Sequence, residues 1–162
     1  MPLWPRGTAV TDSPFAVVVA DTAPLLHFFD PDSKQRDAVG QALDASPHMV
    51  VSPFVLGELD YLLTVRLGVN ASLKALDHVV QMTSIVRWSV PEVAPHLHEA
   101  RHLVHRYQSM DGGSGIGLTD AMNVVLAREY RTDALLTFDV KHFRTVRPLT
   151  SHPAFRLLPD DL

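Results

Sequence analysis

Hydrophobic positions along the chain fall into short blocks with two different periods. Phe15–Ala20 is a β-branched apolar run ending on Asp21, the pattern of a strand buried on both faces. Similar runs at His48–Ser52, Ile85–Val90, Ala134–Phe138 and Phe155–Leu158 predict four further strands. The stretches between them carry helical spacing. Pro24 marks the start of a helix over Leu25–Phe29, and Val39, Ala42 and Leu43 share one face of Ser33–Ala45. Ser52-Pro53 is a strong helix opening, with Ser52 as N-cap and Pro53 in the first turn, and Gly68 ends that helix after Leu67. Asn70 is expected to cap a helix running to Gln81. Pro91–Gln108 carries Val93, Leu97, Ala100, Val104 and Tyr107 along one face. Thr119 is expected to cap a helix running to Tyr130, after a glycine-rich loop, MDGGSGIG. Strands alternating with helices predict a parallel sheet covered on both faces. No repeat, linker or low-complexity tract divides the chain, so residues 15–162 read as one domain behind an irregular arm, residues 1–14.

Composition narrows the chemistry. A chain of 162 residues, 46% hydrophobic and 20% charged, can bury a core without staples. It has no cysteine, so His and carboxylate are the side chains left to hold a metal. The apolar runs are too short to cross a bilayer, and MPLWPRGTAV lacks the pattern of a signal peptide, so a cytoplasmic protein is expected. The net charge of -4 gives no general attraction to nucleic acid. From Arg128 to Arg156, however, six basic residues stand against three acids. Within that stretch Lys141, Arg144 and Arg147 follow Asp139 closely, a balance that serves phosphates or equally makes a solvated surface.

Four acids are placed to meet. In an open doubly wound sheet the binding crevice lies at the carboxyl ends of the strands, where strand order reverses. Asp21 ends the first strand and Asp139 follows the fourth; with the order 3-2-1-4-5 they flank that point. Each alone is equally a turn aspartate closing a strand. Glu58 lies within roughly 60° of Val55 and Leu62 around its helix, so it borders the apolar stripe, whereas Asp60, about 200° away, faces solvent. Asp120 sits in the first turn of its helix, where an acid also suits the helix dipole. Val124 and Ala127 share its face, and Asn123, three residues on, could reach the same ion. Carboxylates gathered at one point need a cation to stay ionised. Oxygen donors suit Mg2+ or Mn2+, which activate water and neutralise a scissile phosphate. Thr22 and Thr137, beside the acids, could orient a carboxylate or the attacking water.

At these residues the chain resembles the PIN-domain nucleases, and among them the VapC toxins of toxin–antitoxin pairs. The matching segments are VVVADTAPLL, SPFVLGELDYLL, GLTDAMNVVLA and LLTFDVKHFRTVRP, in that order from Phe15 to Pro148. The resemblance implies a three-layer α/β/α sandwich and Mg2+- or Mn2+-dependent endoribonuclease activity. It also implies a homodimer and inhibition by a small antitoxin. Family acids carry over onto Asp21, Glu58, Asp120 and Asp139, and the family threonine onto Thr137. The arm before Phe15 is longer than the family's usual start, and the loop Asp111–Gly117 looks extended.

Three rival readings are weaker. An aspartyl-nucleophile phosphotransferase needs a second acid two residues after Asp21, where Ala23 stands. His98, His102 and His105 share a face of one helix at metal-gripping spacing, but on the side away from its apolar stripe. A catalytically silent RNA- or protein-binding module of the same fold has no use for an intact set of four acids.

Overall fold

The computed structural model describes residues 16–109 and 115–162. The expected N-terminal arm, the residue Phe15 and most of the glycine-rich loop lie outside them. Five strands form a parallel sheet: β1 (Val17–Ala20), β2 (His48–Val51), β3 (Trp88–Ser89), β4 (Ala134–Leu136) and β5 (Arg156–Leu158). Their order is β3-β2-β1-β4-β5, as the sequence predicts. The order reverses between β1 and β4, which pair through Val19 with Leu135 and Ala20 with Leu136.

Alternation along the strands builds two cores. Val18, Ala20, Met49, Val51 and Leu136 face one layer, made of α1 (Thr22–Phe29), α2 (Arg36–Ala45), α3 (Pro53–Leu67) and α4 (Val69–Ser84). Val19, Val50, Leu135 and Leu157 face the other, made of α5 (Leu97–Arg106), α6 (Leu118–Glu129) and α7 (Val140–Thr145). A sheet between two helical layers is the expected α/β/α sandwich. No helix among the described residues is long and apolar enough to cross a membrane.

Several boundaries differ from the sequence reading, each for a local reason. The third strand shrinks to two residues because Val86 adopts φ 60°, turning the chain out of α4 before it can extend. Ser52 caps α3 as expected, accepting from the Phe54 N–H at 3.2 Å. The next helix starts at Val69, directly after Gly68 (φ 93°), so Asn70 lies inside it rather than capping it. The predicted long helix from Pro91 is shorter, entered through a 3-10 turn at Ala94–His96 that accommodates Pro95. Its buried residues are Ala100 and Leu103, and Leu97 in its first turn is exposed. Helix α6 begins at Leu118 with Gly117, not Thr119, at the N-cap. Helix α7 is an element the hydrophobic pattern does not announce.

Candidate metal centre at the switch point

Asp21 follows β1 directly, and its N–H donates to the Leu136 carbonyl of β4 at 2.8 Å. The strand pairing thus fixes it at the crossover. Its carboxylate is held on both sides: Oδ1 accepts from the Thr22 N–H at 2.8 Å and Oδ2 from the Thr137 hydroxyl at 2.9 Å. The Thr137 hydroxyl oxygen also accepts from the Asp139 N–H at 3.1 Å. Thr137 is buried, and its hydroxyl bridges the Asp21 carboxylate and the Asp139 backbone.

Asp139 is the N-cap of α7. Its Oδ1 accepts from the His142 N–H at 3.1 Å, and its Oδ2 lies 2.7 Å from His142 Nδ1. His142 is a site residue that periodicity does not reveal. The available signal is local: an aspartate three residues before a histidine at a helix start is a capping pattern.

Glu58 comes from α3. It borders the apolar stripe but is exposed, and it lines the crevice. The Thr22 hydroxyl donates to its Oε2 at 3.1 Å, so Thr22 ties α1 to α3 at the site. Asp60 points elsewhere. It is exposed as expected, but it is not simply hydrated: it accepts a hydrogen bond from the hydroxyl of buried Ser72, because α4 folds back along α3.

Asp120 enters from the first turn of α6, with its Oδ2 3.3 Å from the Gly117 N–H. Asn123, one turn on, is buried, and its Oδ1 has no hydrogen-bond partner among the described residues. An orphaned buried carbonyl is costly in an apolar layer, which makes it an acceptor in search of a donor or cation.

Asp21, Glu58, Asp120 and Asp139 all line one crevice of about 420 Å3, together with Thr22, Ala23, Gly117, Leu118 and Thr119. Burial pushes the Asp21 carboxyl above the usual range, and the charges of Glu58 and Asp139 push the same way, against the hydrogen bonds from Thr22 and Thr137. Burial, reinforced by Asp21 and Asp139, pushes Asp120 up to about 6. A cation would relieve this repulsion. Among the described residues no group of three His, Asp or Glu side chains stands close enough to hold a metal ion as the side chains lie. Carboxylates spaced in this way would suit a hard cation that keeps much of its own water.

The basic residues after Asp139 divide. Arg144 is tied to Asp161 at 2.7 Å and also donates to the Phe155 carbonyl. Arg128 and Arg156 are likewise committed, to Glu99 and Asp133. Lys141, two residues after Asp139, and Arg147 are exposed, and the Arg147 N–H donates to the Tyr107 hydroxyl at 3.3 Å. His98, His102 and His105 are all exposed on α5, away from the crevice.

A PIN-domain family model matches residues 18–148. Ribonuclease VapC26 of Mycobacterium tuberculosis is 38% identical over 134 residues, covering 82% of this chain and 93% of that protein. The crystal structure of Mycobacterium tuberculosis VapC20, described as a sarcin-ricin loop cleaving toxin, superposes with a TM-score of 0.64 at 19% identity, over 76% of this chain and 91% of that one. VapBC2 from Rickettsia felis, bound to a promoter DNA fragment, superposes with a TM-score of 0.61 at 18% identity, over 87% and 98%. With its strand order, its crevice and a family match spanning most of its length, the chain belongs to the PIN-domain family.

Proposed function

We propose that this protein is a divalent-metal-dependent endoribonuclease, the toxin of a VapBC-type pair, cutting RNA at the crevice of Asp21, Glu58, Asp120 and Asp139. The observation that carries the reading is the convergence of these four acids, from four separate elements, on one crevice at the switch point. The similarity to Ribonuclease VapC26 supports RNA as the substrate, and the VapBC2 complex supports an antitoxin as partner.

Bound Mg2+ or Mn2+ would supply charge neutralisation at the scissile phosphate and a water of lowered pKa. The four carboxylates would hold the ion, with Thr137 and Thr22 fixing the orientation of Asp21 and Glu58. His142 positions Asp139 by engaging both of its oxygens. Asn123, one turn after Asp120 on α6, would be a supporting residue through its buried Oδ1. Lys141 and Arg147 are proposed to meet the RNA backbone; Arg144, already paired with Asp161, contributes mainly by anchoring α7 to the C-terminal segment.

Pure protein with and without Mn2+, incubated with single-stranded RNA, tests the reading. Cleavage should require the metal and be lost in Asp21→Asn. Calorimetric titration should give markedly weaker Mn2+ binding in that variant, because one of the hard-cation ligands has lost its charge. Equal Mn2+ affinity in both proteins removes Asp21 from the site.

A further inference from the structure

Besides the four acids the crevice is lined by Thr22, Ala23, Gly117, Leu118 and Thr119, and metal binding leaves Ala23, Gly117 and Leu118 without a role. Leu118 is the first residue of α6 and is 43% exposed, although the residues from Ala121 to Ala127 on the same helix are all buried. It adds little to the core, yet it lines the crevice.

Gly117 is the N-cap of α6 and its N–H faces Asp120 Oδ2 at 3.3 Å, but both roles use its backbone and neither calls for a glycine. Its φ of -84° and ψ of 179° are open to any residue, and a Cβ built on it meets nothing within 4 Å. Two residues earlier, Gly115 is the opposite case: a Cβ there would lie 2.6 Å from the Tyr107 carbonyl oxygen. Packing therefore accounts for Gly115 and not for Gly117. Among the described residues the space beside Gly117 is open, and Gly117 lines the crevice. A volume of about 420 Å3 exceeds what a hydrated ion and one phosphate occupy and falls within the range of small-ligand pockets.

We infer that the Gly117–Leu118 edge is a nucleobase platform: a base beside the scissile phosphate packs its face on Leu118, and the sugar–phosphate backbone passes over Gly117. This rests on the ribonuclease reading of the same crevice. The platform carries no directed hydrogen-bonding group from its side chains, so it reads shape and apolar area rather than base identity. A base can lie there only when it is unstacked, so the platform selects single-stranded RNA or a loop over a duplex.

The test begins by mapping where wild-type protein with Mn2+ cuts a mixed-sequence single-stranded RNA. Steady-state cleavage is then measured on an oligoribonucleotide containing that site, and on versions with one abasic ribose on either side of the scissile bond. Leu118→Ala should raise KM roughly tenfold, the low end for losing apolar contact with a substrate, with a smaller change in kcat. One of the two abasic substrates should show a similar penalty with wild-type protein and no further penalty with Leu118→Ala. Gly117→Ala should also raise KM while its melting temperature stays near that of the wild type, since reduced chain entropy offsets the poorer N-cap. Leu97→Ala, the same change at an exposed leucine on α5, should leave KM unaltered. Wild-type KM in Leu118→Ala, or equal cleavage of abasic and intact RNA by wild-type protein, overturns the platform while leaving the nuclease reading standing. No cleavage by wild-type protein in Mn2+ overturns both.

Discussion

Asp120 shows what burying a carboxylate beside two others costs in stability. Its pKa of about 6 lies above that of an aspartate in the unfolded chain, near 3.9. Between those values the folded state holds the proton more tightly, so stability falls as pH rises through the window and the loss is complete above about pH 6. Asp120→Asn removes the group that titrates and keeps an oxygen for the Gly117 N–H. In metal-free protein the variant should match wild type near pH 4 and gain through the window. It should be more stable by ~1 kcal/mol above it, the full two-unit shift being reduced by solvent in the open crevice. Thermal melts at pH 4, 5, 6 and 7.5 in chelator measure this. A variant equally destabilised at every pH would show that Asp120 is a structural cap and not a member of a repelling cluster. The same residue marks how far sequence reading reached. Its place in a first turn and its buried neighbours were legible, but the degree of its burial, the main cause of its raised pKa, and the added charges of Asp21 and Asp139 exist only in the fold.

Helix α3 carries two acids two residues apart whose fates are opposite. Glu58 lines the crevice and accepts from Thr22; Asp60 binds Ser72 on α4. Helical phase alone separated them, since two residues turn the side chain through about 200°. It did not foresee that Glu58 is exposed at the crevice mouth, nor that α4 brings a buried serine to Asp60, because both depend on how neighbouring helices lie. Glu58→Gln should abolish Mn2+-dependent cleavage and leave the fold intact. Asp60→Asn should cleave nearly normally and lose at most about 1 kcal/mol, the usual net worth of a hydrogen bond. Cleavage rates and urea melts of the two purified variants decide; an inactive Asp60→Asn beside an active Glu58→Gln would invert the assignment. Elements shorter than two helical turns were the least legible. Helix α7, six residues from Val140 to Thr145, has too few positions for periodicity to speak, and its start is written only in the Asp139 cap. The Ile85–Val90 run reads as a strand by composition, but a residue with positive φ cuts it to two residues.

At the scale of the molecule, the parallel sheet and its two covered faces were legible in the alternation of apolar runs and helical stripes, because a parallel sheet must be covered on both faces. The strand order is not written in that alternation and entered as the condition under which Asp21 and Asp139 flank the switch point. What single-chain packing leaves over is apolar surface on α3 and α4. Tyr61 and Val65 stand one turn apart on α3, and Val69, Leu73 and Val80 align on α4, all of them more than half exposed. Gly57 lies in line with Tyr61 and Val65, in a helix interior where glycine costs about 1 kcal/mol relative to alanine, and a Cβ there meets nothing within 4 Å. A monomer has no use for this glycine, whereas a helix packed closely against α3 does. The prediction is a homodimer joined through this face. Light scattering at micromolar concentration should give twice the chain mass of 17.9 kDa. Val65→Lys with Leu73→Lys should yield a folded monomer, because burying two ammonium groups in an apolar contact outweighs what that contact contributes. Gly57→Ala distinguishes the geometry from mere stickiness. In a monomer it should only raise helix stability; in a close-packed dimer it should shift the equilibrium toward monomer while the melting temperature of the dilute protein rises. A wild-type protein that remains strictly monomeric across the concentration series would sink the dimer and leave the α3–α4 face without a self-association role.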